Sequence, residues 1–250
     1  MIKIENLIKS YNGKIVLKVP ELSIGISKLV AIIGPNGSGK TTLLSSIACA
    51  ERPTIGNITI DGADIDLYSK LAFAKKISFM KQSTDIDLSI SIEDLVSFGR
   101  YPYTEGNLTS EDRDIIKESL KATGIYRLKD KYINQVSGGE KQRALLSLVL
   151  AQKTKYILLD EPLNNLDMKS AYELIVLLRS IVDRTNTTVV IIVHDINFAM
   201  NYADTILLMD QGEIVYNGSP KNLDNLTLTK FYNIPIDIIE YKNKNICVYF

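Results

Sequence analysis

The nine residues Gly34 to Thr42, GPNGSGKTT, constrain this chain more than any other stretch. Gly34, Gly39, Lys40 and Thr41 satisfy the pattern G-x-x-x-x-G-K-[ST], with Asn36, Gly37 and Ser38 inside the loop. A continuous apolar run, Val30 to Ile33, comes before it, and an amphipathic segment, Thr42 to Ala48, comes after. Short continuous apolar runs suit parallel strands covered on both faces, so the context is strand, loop, helix. The glycines let successive backbone N–H groups turn toward one anion at a helix N-terminus, where unpaired amides and the helix dipole already favour negative charge. A glycine-rich turn that merely starts a helix is the plain alternative, and the complete pattern in this context argues against it. The expected ligands are ATP and Mg²⁺, with Lys40 reaching the β and γ phosphates and the Thr41 hydroxyl on the metal.

Three further apolar runs resemble the first: Tyr156 to Leu159, Val189 to Val193 and Ile206 to Met209. Between the first two of these, Ala171, Leu174, Ile175, Leu178, Ile181 and Val182 recur at helical spacing within Ser170 to Arg184. Strand, helix, strand is the α/β pattern. The start of the chain differs. Ile2, Ile4 and Leu7 fall near strand alternation, and Asn12-Gly13 is a turn signal before Ile15 to Ile24, which predicts a hairpin with Tyr11 at its bend. Asn57 to Ile65 adds short strands around Asp61-Gly62, so the first quarter is expected to be antiparallel β. Ser91 to Phe98, Ser110 to Thr123 and Gly138 to Gln152 read as helices of a lobe inserted between the first two parallel strands. The tail, Ile236 to Tyr241 and Ile246 to Tyr249 around KNKN, predicts a last hairpin.

Composition removes several classes of function. The 29 basic residues balance the 29 acidic ones, unlike a dedicated nucleic-acid binder, so any anion must be held locally. The first residues, MIKIENLIKSY, lack the basic start and apolar stretch of a secretory signal, so the chain is expected to stay in the cytosol. No apolar run approaches the roughly 18 to 20 residues of a membrane-spanning helix. Two distant cysteines, Cys49 and Cys247, and the single histidine, His194, exclude a disulfide framework and a histidine-based metal cluster.

Asp160 and Glu161 close the run Tyr156 to Leu159, which places both at the carboxyl end of a parallel strand, where such sheets bind ligands. Alone, an acidic pair there is a solvated turn. Beside a phosphate loop, Asp160 suits Mg²⁺ and Glu161 suits orienting or deprotonating the attacking water. Ser137, Gly138, Gly139 and Glu140 form a capping box before a helix, and the two glycines leave its first amides bare to an approaching phosphate.

A phosphate loop, then VSGGEKQR at Val136 to Arg143, then YILLDEP at Tyr156 to Pro162, resembles the ABC-type ATPases over nearly the whole chain. The resemblance implies an α/β P-loop NTPase with a mixed sheet core, an N-terminal antiparallel β subdomain and an inserted helical subdomain. The expected layout is one ABC ATPase domain, 1–250: antiparallel β and phosphate-loop core 1–85, helical subdomain 86–152, remaining core 153–220 and C-terminal extension 221–250. It implies a head-to-tail pair in which Ser137, Gly138, Gly139 and Glu140 of one copy cap the ATP held by the other. It also implies that Tyr11 stacks on adenine, that Gln82 touches the Mg²⁺ and γ-phosphate side, and that His194 acts as the switch histidine. Asn165-Leu166-Asp167 corresponds to the loop that crosses the interface. Two departures stand out: Glu140 replaces the commoner glutamine, and Asn164-Asn165 replaces the usual small residues.

The resemblance implies a separate integral membrane permease, an extracellular binding protein acting through it, and a peripheral location on the cytoplasmic side of the cell membrane. Phe98 to Tyr103, FGRYPY, and Phe231 to Ile236, FYNIPI, are similar to the importer ATPases for iron-siderophore, haem and cobalamin uptake. The first of these segments is equally a surface helix end stopped by Gly99 and Pro102. The alternatives are a soluble non-transport ABC ATPase, such as one for iron-sulfur cluster assembly, and an ATPase of an ABC exporter or of an importer for another substrate.

Overall fold

The computed structural model describes residues 1–81, 89–164 and 166–249. In chain order, β1 (Ile2–Tyr11), β2 (Lys14–Ile24), β3 (Leu29–Ile33), α1 (Lys40–Ile47), β4 (Ile55–Ile60) and β5 (Ala63–Asp64) come first. Next are α2 (Lys70–Ala74), β6 (Ile77–Met80), α3 (Ile92–Ser97), α4 (Tyr101–Thr104), α5 (Ser110–Ala122), α6 (Gly138–Ala151), β7 (Tyr156–Leu159) and α7 (Met168–Arg184). The chain ends with β8 (Thr188–Ile192), α8 (Ile196–Tyr202), β9 (Thr205–Asp210), β10 (Glu213–Gly218), α9 (Asn225–Tyr232), β11 (Ile236–Tyr241) and β12 (Lys244–Tyr249). No helix among the described residues is long and apolar enough to cross a membrane.

Two compact units result, one of Met1–Ile65 with Leu178–Phe250 and the other of Asp66–Leu177. In the first unit, β3 lies between β8 and β9 and is parallel to both, pairing Val30 with Val190 on one side and with Thr205 on the other. All five residues of β3 and all five of β8 are buried, as strands covered on both faces require. Antiparallel β10 continues from β9, so the sheet is mixed. A separate antiparallel sheet runs β2-β1-β4-β5. Four hairpin turns in this unit share one cause. Asn12-Gly13, Asp61-Gly62, Gln211-Gly212 and Lys242-Asn243 each place two successive residues at positive φ, the turn whose twist matches the flanking strands.

Sequence reasoning foresaw three of these turns and missed β10, because Gln211-Gly212 lacks the usual asparagine or aspartate. It also missed β6, four residues long and interrupted by Ser78, which pairs in parallel with β7 in the second unit. The predicted helices form with small end shifts, and α7 starts at Met168 rather than Ser170. The expected stop at Gly99 and Pro102 is not seen. A 3₁₀ turn, Phe98–Arg100, runs on into α4, where Pro102 occupies the first turn that proline tolerates. Gly99 is there for packing, since a Cβ on it would lie 2.4 Å from the Leu148 carbonyl of α6.

The second unit buries Ile92, Val96, Ile116, Leu120, Ile133 and Ala144 as its core. Beside them sits a buried ion pair, with Arg100 Nε donating to Asp112 Oδ1 at 2.8 Å and Arg100 Nη1 to the Ala151 carbonyl at 3.0 Å. Asp112 also closes a capping box with Thr109 at the start of α5. The Thr109 hydroxyl and backbone N–H, with Arg100 behind them, bring the Asp112 carboxyl down to about 2. A lowered folded-state value means that this carboxylate contributes stability above the ordinary range near 3.8, lost as pH falls toward 2. Asp112→Ala should cost about 3–5 kcal/mol at neutral pH because it strands a buried guanidinium. Urea melts of both proteins check this, and their stability gap should narrow between pH 4 and pH 2; a constant gap across that range would contradict the assignment.

Candidate active site

Strand β3 ends at Ile33, and the chain turns at once through Gly34 into the loop. Only glycine fits at 34, since a Cβ would lie 2.1 Å from the Met209 carbonyl of β9 and 2.6 Å from Ser38 Oγ. Gly39 ends the loop at φ 95° and ψ 4°, a left-handed conformation that serves as N-cap of α1 without any side-chain hydrogen bond. Elsewhere Ser69, Ser91, Thr109 and Ser137 each cap their own helix with a side-chain oxygen. Helix α1 thus starts without a side-chain cap from its own N-cap residue, the setting in which a helix N-terminus meets an anion.

Lys40, only 5% exposed, curls back so that its Nζ donates to the Gly34 and Pro35 carbonyls at 2.8 and 2.9 Å. The ammonium therefore sits over its own loop, where a phosphate would meet it. Ser38 is buried, and its Oγ has no hydrogen-bond partner among the described residues. Thr41 and Thr42 follow in the first turn of α1, both half-buried. His194 follows β8, exposed, and lines a cavity of about 310 Å³ with Gly34, Pro35, Asn36, Phe231 and Tyr232. The structure thus brings the sole histidine and the phosphate loop together within one unit. It also adds two residues whose proximity sequence reasoning did not foresee, Phe231 and Tyr232 at the end of α9. Burial raises the Tyr232 phenol far above its ordinary value, with Cys247 and Asp195 adding to the effect.

Tyr11 lies at the end of β1, 44% exposed, with Lys9 Nζ 5.0 Å over its ring and its hydroxyl donating to Glu51. That hydrogen bond and partial burial raise its phenol above the usual range. An exposed ring with a fixed hydroxyl suits stacking on a base.

In the second unit, Asp160 and Glu161 end β7, both buried. The Asp160 N–H donates to the Met80 carbonyl at 2.9 Å. Glu161 adopts φ 51°, a conformation that non-glycine residues rarely take, and Asn164 Nδ2 donates to its Oε2 at 2.5 Å. The asparagine that departs from the family pattern therefore holds the glutamate. Asp167 takes hydrogen bonds from the Ser170 N–H and hydroxyl at 2.9 and 2.8 Å, which lower its carboxyl. Gln82 and Asn165 lie outside the described residues.

The capping box at α6 is present as expected. Glu140 Oε2 accepts from the Ser137 N–H and hydroxyl, each at 2.8 Å, and the Glu140 N–H donates to Ser137 Oγ. The Ser137 N–H first, then its hydroxyl, hold the Glu140 carboxyl below the ordinary range. A Cβ on Gly138 would meet nothing within 4 Å, so no packing among the described residues demands glycine there.

The loop residues suit a magnesium nucleotide: Gly34 and Gly39 where a Cβ would crowd neighbouring backbone, a helix start without a side-chain cap, an ammonium over the loop, and at Thr41 a hydroxyl of the hard-oxygen kind Mg²⁺ prefers. Fold and loop together define a P-loop ATPase. Residues 17–164 match the family model described as ABC transporter, and the chain belongs to that family as an ATP-hydrolysing subunit. It is 43% identical over 251 residues to the petrobactin import ATP-binding protein YclP of Bacillus subtilis (strain 168), covering all of both chains. It is 33% identical over 239 residues to the ferric enterobactin transport ATP-binding protein FepC of Escherichia coli (strain K12), covering 94% of this chain and 88% of that one. Among solved structures, a dimeric bacterial ABC transporter cassette matches with TM-score 0.81 and 30% identity, over 89% of this chain and all of that one. A metal-chelate type ABC transporter in an inward-facing conformation matches with TM-score 0.83 and 25% identity, over 100% and 96%.

The two glycines predict opposite behaviour. Gly34→Ala should disrupt the loop and abolish nucleotide binding, because its methyl group meets backbone on the neighbouring strand. Gly138→Ala should leave folding intact or gain up to about 1 kcal/mol, as alanine is the better helix former. Thermal melts with and without ATP check both, and a marked loss of melting temperature in Gly138→Ala would contradict the open setting of that residue.

Proposed function

We propose that this chain powers a membrane importer for iron-siderophore complexes or a related metal chelate, working as two copies that close head to tail on ATP. The end-to-end identity of 43% with a petrobactin import ATP-binding protein carries this reading. Relatives named for ferric enterobactin and hemin import support it. In this reading the chain sits on the cytoplasmic side of the membrane against an integral permease. An extracellular binding protein delivers the chelate to that permease, and no nucleic acid takes part. Exposed Phe98, Tyr101 and Tyr103, close in sequence, suit a protein partner.

Tyr11 stacks on adenine, while the amides of Gly37, Gly39, Lys40 and Thr41, with Asn36, Ser38 and Thr42 beside them, receive the phosphates. Lys40 exchanges its own loop carbonyls for the β and γ phosphate oxygens. Thr41 and Asp160, with Gln82, hold Mg²⁺, which neutralises phosphate charge when bound. Glu161, steadied by Asn164, orients or deprotonates the attacking water, and His194 contacts the γ-phosphate and the water. Ser137, Gly138 and Gly139 of the second copy donate to the same phosphates, with Asp167 at the interface. Because this second set of donors arrives only on closure, hydrolysis depends on the pair.

Glu161→Gln should bind ATP, hold the closed pair and lose on the order of a hundredfold or more in turnover. ATPase assays with size-exclusion chromatography check this, and near-normal turnover would reject the role given to Glu161. Vesicles carrying the complete transporter should take up a ferric siderophore with the native chain and not with Glu161→Gln. Equal uptake with both would sink the transport reading.

Glu140→Gln removes a negative charge beside the Ser137 hydroxyl. It should weaken α6 by about 0.3–1 kcal/mol through the helix dipole while strengthening ATP-driven pairing. Urea melts and ATP-dependent sedimentation check the two effects. Weaker pairing in Glu140→Gln would refute the repulsion argument.

A further inference from the structure

Arg143 lies on α6, six positions beyond Ser137, and no part of the proposed chemistry uses it. Its Nη2 donates to Ser170 Oγ at 2.7 Å, and that hydroxyl donates onward to Asp167 Oδ2 at 2.8 Å. Its Nη1 donates to the Thr123 carbonyl at 3.0 Å, at the C-terminal end of α5, where a cation is favoured. Glu173, one turn further along α7, stands 3.5 Å from Nη2. One planar guanidinium thus joins three helices with directed hydrogen bonds, which a lysine cannot reproduce.

These bonds span a gap. A cavity of about 240 Å³ opens beside Arg143, lined by Leu146 of α6, Leu174 of α7, and Pro162 and Leu166 between β7 and α7. Beside this cavity the polar contacts of Arg143 bridge α6 and the start of α7. Even Gly124 contributes: it has φ 73°, and a Cβ there would lie 3.1 Å from Nη1. The chain guanidinium, hydroxyl, carboxylate runs from a charged donor to a charged acceptor, and each bond polarises the next.

We propose that Arg143 is a positioning residue that ties Asp167, through Ser170, to the helix beginning at Ser137, so that the two segments meeting the second copy move as one piece. This rests on the reading that Ser137 and Asp167 face that copy. Losing the tie leaves ATP binding to the phosphate loop intact and misplaces the donors needed for hydrolysis.

The test measures ATPase kinetics, nucleotide binding and melting temperature for full-length Arg143→Ala, Arg143→Lys, Ser170→Ala, the double variant Arg143→Ala with Ser170→Ala, and Ser137→Ala. Both single alanine variants should lose about ten- to a hundredfold in kcat, the scale set by small misplacements remote from the reacting atoms. Nucleotide affinity should be unchanged, the double variant should lose no more than the worse single one, and Arg143→Lys should recover only part of the rate. Losses that multiply in the double variant would show two independent roles and overturn the tie. Lower melting temperature with native kcat in the folded fraction would reduce Arg143 to a structural residue. Should Arg143→Ala fail to fold, Ser170→Ala with Arg143→Lys carries the same comparison. Full turnover in Ser137→Ala removes the two-copy reading and this inference with it. Loss in Ser137→Ala beside full turnover in Arg143→Ala and Ser170→Ala removes the inference alone.

Discussion

Helix α1 has a glycine, Gly39, as its N-cap and so no side-chain cap, and the arrangement around it depends on that omission. A side-chain cap is worth about 0.5–2 kcal/mol to a helix, so leaving it out is a standing cost to the folded chain. Burial offsets it. Strand β3, entirely apolar and inaccessible, anchors the start of the loop, while Leu43, Leu44 and Ile47 anchor the helix beyond it. The loop also receives support from β9 and β10, because the Gly212 N–H donates to the Ser38 carbonyl at 3.1 Å. A buried frame on both sides holds the loop in place, with the Lys40 ammonium folded back on the Gly34 and Pro35 carbonyls.

Charge is managed locally throughout, in keeping with a chain whose formal net charge is zero. Lys40 is buried against carbonyls, Arg100 against Asp112, and Arg179 spans Asp183 and Asp204, so cations are matched one site at a time. No broad basic face is needed to attract a nucleotide when an uncapped helix and one ammonium converge on the same loop.

The chemistry-bearing motifs were legible in the sequence because each needs fixed residues at fixed spacing: the loop glycines, the capping box at Ser137 and Glu140, the carboxylates after an apolar strand, and the turns at Asn12-Gly13 and Asp61-Gly62. What stayed hidden depends on distant neighbours. Strand β6 is too short to show alternation and exists by pairing with β7, far along the chain, with Ser78 opposite Ile157 and Phe79 opposite Leu158. Gly99 reads as a helix stop until the Leu148 carbonyl is seen against it. The proximity of Phe231 and Tyr232 to the phosphate loop likewise follows from tertiary placement that no local pattern encodes.

The two helix starts of the proposed site solve opposite problems. Helix α1 starts at a glycine N-cap with no side-chain cap, whereas α6 keeps a full capping box in which the Ser137 hydroxyl is already committed to Glu140. For that hydroxyl to serve a phosphate on another copy, it must exchange one anionic acceptor for another. The exchange trades like for like, so it yields little net free energy, and the bare amides beside Gly138 must supply more of the attraction. A contact that gains little on closing is also lost at little cost on opening. In the proposed pair, a glutamate that competes for its own serine would thus favour release over tight capture.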